Sequence, residues 1–192
     1  GGHSEGTVVM TNVLNNILND PSQTHLQNEI TAVFLSGVAM DNMKDIVRYQ
    51  ITGDAYRQFM QAYHAQDDDY FYSHFQLGWY WMYSAFNTPK SVSEILLEIG
   101  GNPQGQKIPI QIFQGLLDKN VPYQSVLKFE DSNNAAPADQ QVLLSARYYE
   151  TGHDLDPTVI SDMEVLMGSY FQSDVNPSLK TNQNISMNYL RG

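Results

Sequence analysis

Cysteine is absent from the 192 residues. That excludes disulfides, thiol nucleophiles and thiolate metal centres together, and leaves the compartment open. Basic residues are scarce: ten lysines and arginines stand against 21 aspartates and glutamates, a formal charge of −11. No basic run offers phosphates a continuous surface, so the sequence speaks against nucleic-acid binding and against docking on an anionic membrane. A protein or peptide partner, preferably basic, suits that field better. Long apolar runs are missing too. No segment reaches transmembrane length, so direct membrane insertion is not expected, and no basic start with an apolar middle marks a signal peptide. The opening GGHSEG reads as a flexible start and a processing boundary, which leaves export of a longer precursor open. Few lysines, many Asn and Gln and no Cys lean towards an extracytoplasmic or secreted domain, with a cytoplasmic protein as the alternative.

What is present can fill a core. The hydrophobic fraction is 42%, and twelve tyrosines, eight phenylalanines and eight methionines add burial capacity enough for one domain. The pattern along the chain reads as all-α: an irregular bundle or stacked helix pairs, with roughly seven or eight helices around a central aromatic helix. Residues 1–10 are expected to be flexible, 11–175 to form a single helical domain, and 176–192 to be a peripheral tail carrying an Asn184-Ile185-Ser186 sequon.

Within the domain, Val13, Leu14, Ile17 and Leu18 make a two-turn stripe that Asn19-Asp20-Pro21 breaks. Thr24 with Gln27 resembles a capping box for a helix running through Val33, Phe34 and Val38. Ser91 with Glu94 resembles another, ahead of Ile95, Leu96 and Ile99. Residues 108 to 113 alternate like a strand, but a helix from Pro109 through Leu117 extends the pattern further and is preferred. EDSNNAAPAD is read as a long linker, and Gln140 to Glu150 as a helix ended by Gly152. Asp156-Pro157 supplies an N-cap and first-turn proline for a helix through Tyr170.

Chemistry is harder to find. In HAQDDDYFYSHFQLGWYWMYSAF, His64, Asp67, Asp68, Asp69 and His74 suggest a metal site. On one helix, however, Asp67 and His74 stand about 10 Å apart along the axis, and His64 with Asp68 supplies only two ligands. His153, Asp154 and Asp156 form a second loose group. Helix initiation by the aspartates accounts for both, so no metal and no cofactor is assigned. Asp67 to Asp69, Glu94, Glu98, Glu150 and Asp156 could converge in a carboxylate-dependent or metal-assisted hydrolase acting on carbohydrate. The serines at 36, 73 and 145 lack a nucleophile-elbow sequence, and glycines 100, 101 and 105 read as turns. No catalytic residue is named.

The favoured reading is a non-catalytic protein- or peptide-interaction domain, with a structural assembly domain as a further alternative. Its aromatic groove, rimmed by acidic residues, draws on Tyr70, Tyr72, His74, Trp79, Tyr80, Trp81 and Tyr83. The stripe from Phe71 through Phe75, Trp79 and Met82 to Phe86 would make their helix the centre of the bundle.

Overall fold

A parallel sheet occupies the centre of the molecule, where the sequence pattern had placed a helix. The computed structural model describes residues 1–76, 78, 79 and 90–171. Strands β1 (Gly2–His3), β2 (Val33–Ser36), β3 (Pro109–Gly115) and β4 (Leu143–Tyr149) lie side by side in chain order, every neighbouring pair parallel. Leu35 pairs with Gly2 on one side and Ile112 on the other, and Pro109 to Gly115 pair with Leu143 to Tyr149. The all-α expectation is therefore wrong: the fold is mixed α/β. Every residue of β2 and β3 is buried. A strand covered on both faces loses the polar alternation that identifies strands, and a short apolar run then resembles a turn of buried helix.

Helices connect the strands, as parallel pairing requires. Helix α1 (Glu5–Asn19) and the short α2 (Thr24–Glu29) join β1 to β2. An insertion carrying α3 (Met43–Gln50), α4 (Gly53–Ala65) and α5 (Asp68–Phe75) follows β2, and α6 (Val92–Gly100) leads into β3. Helix α7 (Tyr123–Ala135) returns to β4, and α8 (Pro157–Phe171) closes the described chain. None of these helices is long and apolar enough to cross a membrane.

The two faces of the sheet bury different residues. Leu35, Ile110 and Ile112 face α1, α6 and α7, packing with Leu14, Leu96 and Phe129. Phe34 and Phe113 face the other way and pack with Val159 and Tyr170 of α8. Each fully buried aliphatic side chain contributes about 1.5–3 kcal/mol, so these two layers set the order of the elements. Gln111, on the α8 face, satisfies its amide by donating to the Tyr170 hydroxyl at 3.1 Å.

Several local expectations hold. Ser91 and Glu94 form a full capping box at the start of α6. Asp67 caps α5 by accepting from the Tyr70 N–H at 2.9 Å, and Asp156 accepts from the Thr158 N–H ahead of α8. Others fail. The opening residues form β1 and start α1. Thr24 and Gln27 make no capping box: the Gln27 side chain reaches back to the carbonyls of Ile17 and Asp20. The stretch read as a linker continues α7 to Ala135, and the helix expected from Gln140 to Glu150 is β4.

The aromatic stretch is not one central helix. Gln66 ends α4 and Gln76 ends α5, both in the left-handed conformation. The rings of α4 and α5 make their own small core inside the insertion: Phe59 meets Phe71 and Phe75 edge-on at 5.8 Å, and Tyr63 meets Trp79 at 5.1 Å. Met82 and Phe86, which the expected stripe also used, lie outside the described residues. The insertion is fastened to the β3–α7 loop. Ile46 packs with Ala39 and Val121, and the Gln50 amide donates to the carbonyls of Lys119 and Asn120 at 3.0 and 2.9 Å.

Candidate active site

All four strands run the same way, so the loops that follow them gather along one edge of the sheet, where open parallel sheets bind ligands. After β1 comes Ser4, after β2 Gly37, after β3 Asp118 and after β4 His153. Three of these four meet through their side chains. His153 Nδ1 lies 2.8 Å from Asp118 Oδ2, and His153 Nε2 lies 2.9 Å from Ser4 Oγ. An ionised carboxylate can only accept, so Nδ1 carries the imidazole proton. The Nε2 lone pair is thereby left to accept the Ser4 hydroxyl.

Ser4 sits in a tight strand-to-helix turn with φ 52° and ψ −124°, a conformation that costs a non-glycine residue about 1–3 kcal/mol. The surroundings hold it there. The Ser4 N–H donates to the Ser36 carbonyl at 3.0 Å, and the fully buried Thr7 donates from its N–H and hydroxyl to the Ser4 carbonyl at 2.9 and 2.6 Å. The sequence around it, Gly2-His3-Ser4-Glu5-Gly6, has the spacing of a nucleophile elbow. The reason for glycine is visible at Gly2, where a Cβ would come within 2.4 Å of the Gly6 carbonyl oxygen. Glu5 and Gly6 open α1, so neither N–H has an acceptor within the helix.

Asp118 is buried without being stranded. Its Oδ1 accepts from the N–H groups of Asn120 and Val121 at 2.8 and 3.0 Å. Gln114, wholly buried at the end of β3, ties the neighbourhood together: its amide donates to the Val121 carbonyl and its oxygen accepts from the Val38 N–H. The acid loop and the histidine loop are joined by Leu116 N–H to the Tyr149 carbonyl and Leu117 N–H to the Thr151 carbonyl. A Cβ on Gly115 would come within 2.3 Å of the Gly152 oxygen, so only glycine admits this close crossing.

His3 is the fourth member of the group. Its Nδ1 lies 3.0 Å from Ser36 Oγ, and its ring centroid is 5.0 Å from that of His153. Burial first, then the neighbouring His153, lowers its pKa from the ordinary 6.5, against the opposing pull of the Ser36 backbone, Asp118 and Asp154. Folding therefore favours neutral His3; its contribution to stability is present above pH 6.5 and is lost as pH falls towards the lowered value.

The residues singled out from sequence lie elsewhere or act differently. Tyr70 and His74 stack at 4.1 Å on α5, Trp79 packs on Tyr63 and Phe71, and Tyr72 is 59% exposed. Tyr80, Trp81 and Tyr83 fall outside the described residues. Asp68 accepts from the Trp79 N–H, Glu94 completes its capping box, and Glu98 pairs with Lys90 and Asn15. His153 turns to Asp118 and Ser4 rather than to a metal-binding partner. Among the described residues no three histidine or acidic side chains are placed to hold a metal ion. The signals that identify the site were GHSEG and Gly152-His153, both read as loop. Comparison with protein-family models, curated proteins and solved structures gave no match.

Proposed function

We propose that this chain is a serine hydrolase that cleaves carboxylic esters or related acyl compounds through a covalent acyl-enzyme, in the manner of α/β-hydrolases. The observation that carries this reading is the unbroken row Ser4, His153, Asp118 at the carboxyl edge of a parallel sheet. Two features support it independently. Ser4 stands on a strained elbow of the G-x-S-x-G kind, and the three residues follow one another in the chain order Ser, Asp, His that this architecture uses.

Chemistry follows from the hydrogen bonds. Ser4 Oγ attacks the carbonyl carbon while its proton passes to His153 Nε2. Asp118 fixes the ring through Nδ1–H and stabilises the imidazolium. Negative charge gathering on the substrate oxygen meets the Glu5 N–H at the positive end of α1, a donor already in place before the reaction begins. The imidazolium then protonates the departing alkoxide. Water, deprotonated by the same Nε2, releases the acid and restores Ser4. The insertion after β2, fastened to the acid loop through Gln50, is suited to covering the site and excluding water.

p-Nitrophenyl dimethylcarbamate separates acylation from turnover, since the carbamoyl-enzyme hydrolyses slowly. The expected record is rapid release of about one equivalent of p-nitrophenolate per chain, followed by a slow steady rate. Release without a stoichiometric phase, unchanged on His153→Gln, would count against the proposal.

A further inference from the structure

Resting on the serine-hydrolase reading, we propose that His3 is a positioning residue for His153, a neutral imidazole anchored by Ser36 that holds the neighbouring ring in line with Ser4. The geometry is specific. His3 occupies β1 immediately before the elbow, so its backbone is fixed by the same pairing with β2 that fixes Ser4. Its side chain reaches across to Ser36 Oγ and lies tilted by 37° against His153. The two rings can approach because Gly37 stands beside both. That glycine has φ +53°, and a Cβ on it would lie 3.1 Å from His153 Cε1 and 3.2 Å from His3 Cε1.

Charge makes this contact conditional. His153 becomes an imidazolium each time Ser4 attacks, and a neutral ring at 5.0 Å tolerates that cation whereas a protonated one repels it. The groups facing His3 are His153 and Asp154 from the β4–α8 loop and Asp118 from the β3–α7 loop. The two carboxylates favour its protonated form, while burial and His153 oppose it and prevail. His3 is thus kept neutral above pH 6.5, and its protonation at lower pH sets a cation beside the imidazolium that His153 must become.

Hydrolysis of p-nitrophenyl butyrate as a function of pH tests this in the whole chain. With His3 in place, log(kcat/KM) should fall on the acid side with a slope that steepens beyond one as a second proton binds. In His3→Asn the slope should remain one, with kcat at neutral pH reduced about 10- to 100-fold and KM little changed, as expected for a mispositioned catalytic group. If His3→Asn reproduces the parent slope and kcat while Ser4→Ala is inactive, the role of His3 is refuted and the hydrolase reading survives. If the parent chain hydrolyses no faster than Ser4→Ala, both fall together. An NMR titration of the His3 ring, in the parent and in His153→Gln, checks the contact without relying on the folding of His3→Asn. The His3 pKa should rise when His153 is removed; an unchanged value overturns the inference.

Discussion

Ser4→Ala is expected to abolish ester turnover, a loss on the order of 10⁵- to 10⁶-fold in kcat, as when a triad nucleophile is removed. Stability should barely respond. The hydroxyl donates to His153 Nε2, and losing such a hydrogen bond costs about 0.5–1.5 kcal/mol. Alanine inherits the backbone strain at φ 52°, so no relief offsets that loss. Glycine is different. Ser4→Gly removes both the nucleophile and the Cβ that makes this conformation costly, and it should be more stable than Ser4→Ala by about 1 kcal/mol in denaturant titration. A position where glycine is better tolerated than alanine, yet serine is present, is one where the side chain serves chemistry at the expense of stability. If Ser4→Ala kept even a hundredth of the parent activity, Ser4 would not be the nucleophile.

Asp118→Asn should reduce kcat by about 10⁴-fold with the fold retained. Hydrogen-bond polarity is the cause. The asparagine oxygen can go on accepting from the N–H groups of Asn120 and Val121, which leaves its NH₂ facing His153 Nδ1. That donor selects the tautomer protonated at Nε2, which cannot take the Ser4 proton. Asp118→Ala should behave otherwise, because it removes the acceptor of the buried Val121 N–H and of the partly buried Asn120 N–H. Each such group costs about 1–3 kcal/mol when left unpaired, so this variant should melt well below Asp118→Asn. Thermal denaturation beside initial rates separates the two effects: an inactive, stable asparagine variant and a destabilised alanine variant. Equal activity of Asp118→Asn and parent would remove Asp118 from the mechanism.

How much of this was legible in the sequence depends on the physical signal each element leaves. Caps act over three or four residues and could be read directly, as at Ser91 with Glu94, Asp67 and Asp156-Pro157. The strands were harder. Residues 108 to 113 do alternate like a strand, but β3 is buried along its whole length, and an apolar pattern that runs on to Leu117 fits a buried helix as well. In β4, Leu143, Ala146 and Tyr149 fall at helical intervals by chance, and the strand is fixed by pairing with β3. The aromatic stretch offered a long helical stripe, yet the left-handed Gln76 stops the helix at Phe75. The site was partly legible. GHSEG carries the elbow spacing, but the short β1 leaves almost no apolar run to announce a strand before it. Asp118 and His153 are 35 residues apart and meet only because β3 and β4 end side by side.

A triad mechanism requires Ser4 to be the reactive hydroxyl among the many serines and threonines of this chain. A fluorophosphonate ester reacts with a serine activated by an adjacent base, and the modified residue can be read by mass spectrometry of proteolytic peptides. The predicted result is one phosphonyl group per chain, carried by Ser4 and absent from His153→Gln. Labelling at another residue, or ester turnover that persists with Ser4 unmodified, would contradict it.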